Sequence, residues 1–222
     1  MKIEINNIQK KFGKKEILRD VTFSAKAGEC IGILGGNGSG KSTLLSILAG
    51  VQMCDKGEFM YNGINLLTKP KVRSDMVGYV PQGTPLIEEL TAKDNLLLWY
   101  NRKDLKRELS NGIIATLGIN DFLSTTVSKM SGGMKKRLSI GCALSKRQPI
   151  LLLDEPTAAL DLVCKQTITD YIQRYKNSGG IVVLATHDIM EFGLCDKMYI
   201  LKNGGFTSYE YSGSLKDLTE RL

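Results

Sequence analysis

Short uncharged apolar runs punctuate the chain at Cys30–Leu34, Val77–Val80, Ile150–Leu153, Ile181–Ala185 and Met198–Leu201. Runs of this length without polar alternation suit strands buried on both faces. Helical patterns lie between several of them, and the order strand, helix, strand argues for a parallel sheet covered by helices. One helix is read from Ile168, Tyr171, Ile172 and Tyr175, whose i, i+3, i+4, i+7 spacing makes an apolar face that Gly179-Gly180 then ends. Between Gln82 and Ser131 the strand signals fade, and positions such as Leu109, Ile113, Ile114 and Leu117 predict a helical lobe inserted into this α/β core.

The opening residues Met1 to Asn6 alternate like a strand and lack the order of a secretory signal, so the chain is expected to stay in the cytosol. The five prolines stand singly at element boundaries and no repeat or linker divides the chain, which reads as one continuous fold. The stretch from Gly204-Gly205 to Leu222 is too short for an added regulatory domain.

Composition narrows the class. The 222 residues are 42% hydrophobic and 24% charged, which suits a soluble globular protein and excludes disorder, collagen-like repeats and a disulfide miniprotein. No apolar stretch approaches the ~18 residues of a membrane span. Cys30, Cys54, Cys142, Cys164 and Cys195 are odd in number and far apart, with no C-x-x-C, and are expected as buried free thiols. The net charge of +7 is concentrated, because residues 101–147 hold ten Lys/Arg against three Asp/Glu while the remainder cancels. Such a region can face anionic lipid, a nucleic-acid backbone or water.

The strongest chemical signal follows the first apolar run: Gly35-Gly36-Asn37-Gly38-Ser39-Gly40-Lys41-Ser42-Thr43 satisfies G-x-x-x-x-G-K-[ST]. Glycines let successive backbone N–H groups converge on a polyphosphate, and the helix expected from about Lys41 presents its positive end. Lys41 is placed to reach the β- and γ-phosphates, and the Ser42 hydroxyl to ligate Mg²⁺. A second signal is Ile150-Leu151-Leu152-Leu153-Asp154-Glu155-Pro156-Thr157, a buried strand delivering carboxylates to the sheet end. There Asp154 would hold Mg²⁺ through its water shell and Glu155 would polarise a water aimed at the γ-phosphate. His187 and Gln82 each follow a predicted strand and share that location, where His187 can contact the γ-phosphate or water and Gln82 can reach Mg²⁺ or water. Ser131-Gly132-Gly133 opens a helix carrying Leu138 and Ile140, a further anion-binding start that one chain cannot easily bring to the same γ-phosphate but a partner molecule could.

Taken in order, these motifs closely resemble the nucleotide-binding subunit of ATP-binding cassette (ABC) transporters across nearly the whole chain. The resemblance makes Gly35 to Ser42 the Walker A loop, Gln82 the Q-loop, Ser131-Gly132-Gly133 the signature, Asp154 with Glu155 the Walker B motif and catalytic base, and His187 the H-loop switch. It also implies adenine stacking for Phe12 and a D-loop at Ala159-Leu160-Asp161. The usual signature is Leu-Ser-Gly-Gly-Gln, so Met130 and Met134 replace its outer residues, and Phe12 replaces the commoner tyrosine. Met134 followed by Lys135-Lys136-Arg137 resembles the form met in export-type subunits.

The fold so implied is α/β, a P-loop NTPase core with a mostly parallel sheet, an antiparallel β edge near the N-terminus and an inserted α-helical subdomain. A single ATP-binding domain would span 1–222, with the core at approximately 1–86 and 148–222 and the helical part at approximately 87–147. The implied activity is ATP hydrolysis with ATP and Mg²⁺ bound between two head-to-tail subunits, a homodimer or heterodimer, coupled to transmembrane permease subunits on the cytoplasmic face of the membrane. No nucleic-acid partner is expected. A soluble ABC-type ATPase serving cofactor assembly or ribosome and nucleic-acid work is the alternative, though no coiled-coil insertion or second cassette supports the latter.

Overall fold

Successive residues of the apolar runs face opposite ways, and both sides are covered. The computed structural model describes residues 1–145, 148–158 and 160–222. Its strands are β1 (Lys2–Phe12), β2 (Lys15–Lys26), β3 (Cys30–Leu34), β4 (Lys56–Tyr61), β5 (Ile64–Asn65), β6 (Val77–Val80), β7 (Ile150–Asp154), β8 (Ile181–Ala185), β9 (Lys197–Lys202) and β10 (Gly205–Tyr209). Its α-helices are α1 (Lys41–Ala49), α2 (Pro70–Met76), α3 (Ala92–Leu97), α4 (Arg102–Asn111), α5 (Ile113–Thr116), α6 (Gly132–Ala143), α7 (Leu162–Asn177) and α8 (Leu215–Arg221).

The main sheet has the order β10-β9-β3-β8-β7-β6, parallel throughout except where β10 returns against β9. Ile150, Leu152, Ile181 and Val183 point to one face, where they meet Leu44 and Leu48 of α1. Leu151, Leu153, Val182 and Leu184 point to the other, against Ile168 and Ile172 of α7 and against Leu96, Ile114 and Ile140. Each such Leu or Ile contributes about 1.5–3 kcal/mol by leaving water, which explains why these strands need apolar residues at every position.

The antiparallel element expected as an edge is a sheet of its own, ordered β2-β1-β4-β5 and packed through Ile3, Ile5 and Phe59 onto the α1 face of the main sheet. Phe23 of β2 meets Tyr199 and Phe206 of the main sheet, with the latter two rings stacked at 4.7 Å, so aromatic contacts join the two sheets.

Helices α3 to α6 follow β6 and share their apolar core with Leu151 and Val182 of the main sheet. Helix α7 is capped by Asp161, whose carboxylate accepts from the Cys164 amide at 2.8 Å, and it buries the expected Ile168 and Ile172. All five cysteines are free; Cys30, Cys142 and Cys164 are buried, whereas Cys54 and Cys195 are only half-buried. Among the described residues no helix is long and apolar enough to cross a membrane.

Candidate active site

Parallel strands put all their carboxyl ends at one edge of the sheet, and four of them deliver the site. The Gly35 to Gly40 loop leaves β3, Gln82 follows β6, Asp154 ends β7 with Glu155 next, and His187 follows β8. The loop runs into α1 at Lys41, as the motif predicts. Gly40 takes φ 112°, and a Cβ there would lie 2.9 Å from a methyl of Ile17, so both backbone angle and space demand glycine. A cavity of about 290 Å³ opens here, lined by Asn37 to Thr43 together with Ile17, Gln82 and Glu155. A larger cavity of about 670 Å³ lies beyond the opposite, amino ends of β7 and β8, near Pro149 and Gly180, and contains none of these residues.

Glu155 is the centre of the arrangement. It is only 8% exposed, and its carboxylate accepts from Gln82 Nε2 at 2.9 Å, lies 3.2 Å from His187 Nδ1 and 3.7 Å from the Lys41 ammonium. Its φ of 47° is left-handed, a conformation costing an ordinary side chain about 1–2 kcal/mol. The Glu155 amide offsets that cost by donating to Ala185 O at 2.9 Å, continuing the β7–β8 ladder. The turned backbone departs from the strand's alternation just after Asp154.

Lys41, 5% exposed, also donates to Gly35 O at 2.7 Å and Gly36 O at 3.3 Å. Asp154 is buried, and its Oδ1 has no hydrogen-bond partner. Burial pushes its carboxyl up, while the Ser42 hydroxyl beside it pulls the other way. An orphaned carboxylate oxygen next to a hydroxyl suits a hard cation. Among the described residues no three His, Cys, Asp or Glu side chains form a metal cage, so the donor set fits Mg²⁺, which keeps water and phosphate ligands, better than Zn²⁺.

Behind the site, the Thr157 hydroxyl donates to buried Glu191 at 2.6 Å, pinning the turn after Glu155 to the segment after His187. Burial pushes the Glu191 carboxyl up. Lys165 and Asp188 pair at 2.5 Å on the same side. Neither contact is marked by a motif, because each joins residues distant along the chain.

Not every predicted residue meets here. Ser131 caps α6, accepting from the Met134 amide at 3.2 Å, and Ser131, Gly132 and Gly133 do not line the phosphate-loop cavity. Gly133 instead packs on the first turn of α7: a Cβ there would stand 2.5 Å from Cys164 Sγ and 3.9 Å from Asp161 Oδ2. Gly132 has open space where its Cβ would be. Phe12 stands half exposed at the end of β1, with Lys10 Nζ 5.3 Å from its ring centre. Ala159, expected in the loop before Asp161, lies outside the described residues. The run Lys135-Lys136-Arg137 is not simply a basic surface: Lys136 is buried at 5% exposure and Arg137 lies over the Phe122 ring.

Known proteins give the arrangement its setting. A family model described as ABC transporter matches residues 18–158. The chain is 31% identical to the linearmycin resistance ATP-binding protein LnrL of Bacillus subtilis (strain 168), covering 99% of this chain and 71% of that protein. It is 33% identical to the Nod factor export ATP-binding protein I of Sinorhizobium fredii (strain NBRC 101917 / NGR234), covering 91% of this chain and 60% of that protein. An ATP-binding subunit of an ABC transporter superposes with a TM-score of 0.81 at 26% identity, over 99% of this chain and 92% of the other. A dimeric ATP-binding cassette in a post-hydrolysis state with ADP and Pi superposes with a TM-score of 0.79 at 28% identity, over 94% of this chain and 99% of the other.

Proposed function

This chain belongs to the ABC transporter family as its ATP-binding, ATP-hydrolysing subunit, and on that premise we propose how its own residues do the work. The observation that carries the reading is the convergence of Lys41, Gln82 and His187 on Glu155 at the mouth of the Gly35 to Gly40 loop. The loop amides and Lys41 bind the β- and γ-phosphates, and Phe12 stacks on the adenine. Ser42 and Gln82, with Asp154 acting through water, would hold Mg²⁺, which would supply positive charge to the phosphates. Glu155 takes the proton of the attacking water on its carboxylate, and His187 holds the γ-phosphate in line with that water.

Ser131, Gly132 and Gly133 serve the second copy's nucleotide. They sit at the start of a twelve-residue helix, exposed or open at Ser131 and Gly132, and away from their own phosphate loop. Asp161 sits beside them and faces the same partner. ATP thus joins two subunits, and loss of the γ-phosphate removes the target both sets of donors share.

The helical part, approximately 87–147, docks the membrane-spanning permease on the cytoplasmic face. Trp99 at 62% exposure, with Leu98 and Ile87 also exposed, offers apolar side chains in the part of the chain that follows Gln82. The burial of Lys136 weakens the alternative in which a basic face meets nucleic acid. Export is the direction in the name of the Nod factor relative, and Met134 followed by Lys135-Lys136-Arg137 agrees with that direction here.

Size-exclusion chromatography of Glu155→Gln tests the reading. ATP is expected to shift the variant to a dimer, with hydrolysis at least about tenfold below wild type. An elution position indifferent to ATP at high protein concentration would count against the shared site, and unchanged turnover would remove Glu155 as the base.

A further inference from the structure

One buried cation near the site has no part in the proposed chemistry. Lys136 lies on α6 and does not line the phosphate-loop cavity, yet it is 5% exposed. Its ammonium donates to Pro81 O at 2.8 Å and Gln82 O at 3.3 Å. These carbonyls belong to the irregular segment that leaves β6, and Gln82 in turn donates through its side chain to Glu155 at 2.9 Å. A continuous path therefore runs from the helix opened by Ser131, through the Lys136 ammonium and the backbone of Pro81 and Gln82, to the Glu155 carboxylate.

We propose that Lys136 is a positioning residue that ties helix α6 to the backbone of Gln82, so that the Ser131 to Gly133 segment and the Gln82 side chain move as one. The tie rests on the reading of Glu155 and Gln82 given above and adds to it a link between the surface offered to a second subunit and the carboxylate of the same chain. A buried ammonium bonded to two carbonyls is costly to pull loose, because both its charge and the carbonyls would lose their partners. Burial pushes the Lys136 ammonium down to about 8, opposed by the carboxylates of Asp154, Glu155 and Glu191. The tie also explains why this lysine, inside a Lys-Lys-Arg run, points inward while Lys135 reaches out to exposed Glu88 at 3.3 Å.

The test compares full-length Lys136→Met, which keeps the stem and loses the donors, with Lys136→Arg, which keeps donors. In Lys136→Met without nucleotide, hydrogen–deuterium exchange over residues 81–86 is expected to rise at least about threefold, with residues 35–43 unchanged. Steady-state kinetics of that variant should show kcat about tenfold lower and the KM for ATP within about twofold of wild type, while Lys136→Arg recovers most of the loss. Unaltered exchange at 81–86, an unchanged kcat, or an arginine variant no better than methionine would each overturn the proposal. So would faster exchange spread over the whole chain, which would make Lys136 a general packing residue. If Glu155→Gln hydrolysed ATP as fast as wild type, the reading of the site would fail, and the exchange comparison would still decide whether the tie exists.

Discussion

The Lys41 ammonium and the Glu155 carboxylate face each other at 3.7 Å, both nearly closed off from solvent. Removing one member of a buried charge pair leaves the other without compensation, typically a larger loss than removing both. Lys41→Ala is expected to weaken ATP binding at least about tenfold by calorimetry, since a phosphate ligand and a brace on Gly35 are lost together. The double variant Lys41→Ala/Glu155→Gln should melt at a higher temperature than Lys41→Ala alone. A double variant no more stable than the single would show that Gln82 and His187 suffice to hold the carboxylate.

Neighbouring glycines of the same motif should fail in different ways. A methyl on Gly133 would collide with Cys164 at 2.5 Å, and overpacking of this kind costs about 1–3 kcal/mol, readable as a lower urea midpoint. Gly132→Ala meets nothing within 4 Å and should stay within about 0.5 kcal/mol of wild type. Placed in the Glu155→Gln background, however, Gly132→Ala should weaken the ATP-dependent dimer, because in the proposed dimer its methyl would occupy the approach of the other subunit's phosphate. Equal stability losses for the two alanines would contradict the contact geometry.

Acid should expose the contribution of the Lys165–Asp188 pair. Burial alone would raise the Asp188 carboxyl, but Lys165 at 2.5 Å and the Met190 amide at 3.0 Å outweigh it and hold the group below its ordinary 3.8. A carboxyl depressed in the folded protein stabilises fully above its unfolded value, and that stabilisation is lost as pH falls through the folded one. Wild type should therefore exceed Asp188→Asn by up to about 1 kcal/mol near neutrality. Urea titrations from about pH 5 to about pH 3 should close that gap. A gap constant over this range would mean that packing, not charge, makes the difference.

Legibility along the chain followed burial. β3, β6, β7, β8 and β9 lie where the apolar runs place them, to within a residue at each end, and β3, β7 and β8 are the clearest because strands covered on both faces leave little room for polar residues. β2 was hidden: Lys15–Lys26 carries Lys, Glu, Arg and Asp on its open side, and its pairing with β1 is broken by register shifts that spoil the period of two. Gln82, Glu155 and His187 could be named together because each follows a strand of one parallel sheet, and such ends must share an edge, while Lys41 belongs to the motif after β3. The inward turn of Lys136 could not, since a lysine between Lys135 and Arg137 gives no local hint of the carbonyls waiting on a segment more than fifty positions earlier. The same holds for Thr157 and Glu191, whose bond depends on two loops meeting.

At Gly133 and Cys164 the first turns of α6 and α7 are separated by less than the width of a methyl group. Neither helix can tilt toward the other, and a push on one is delivered to its neighbour with no slack to absorb it. The chain thus presents to any molecule pressing on that side a stiff jaw instead of two separate fingers, and stiffness of this sort sets how faithfully a small displacement is passed along.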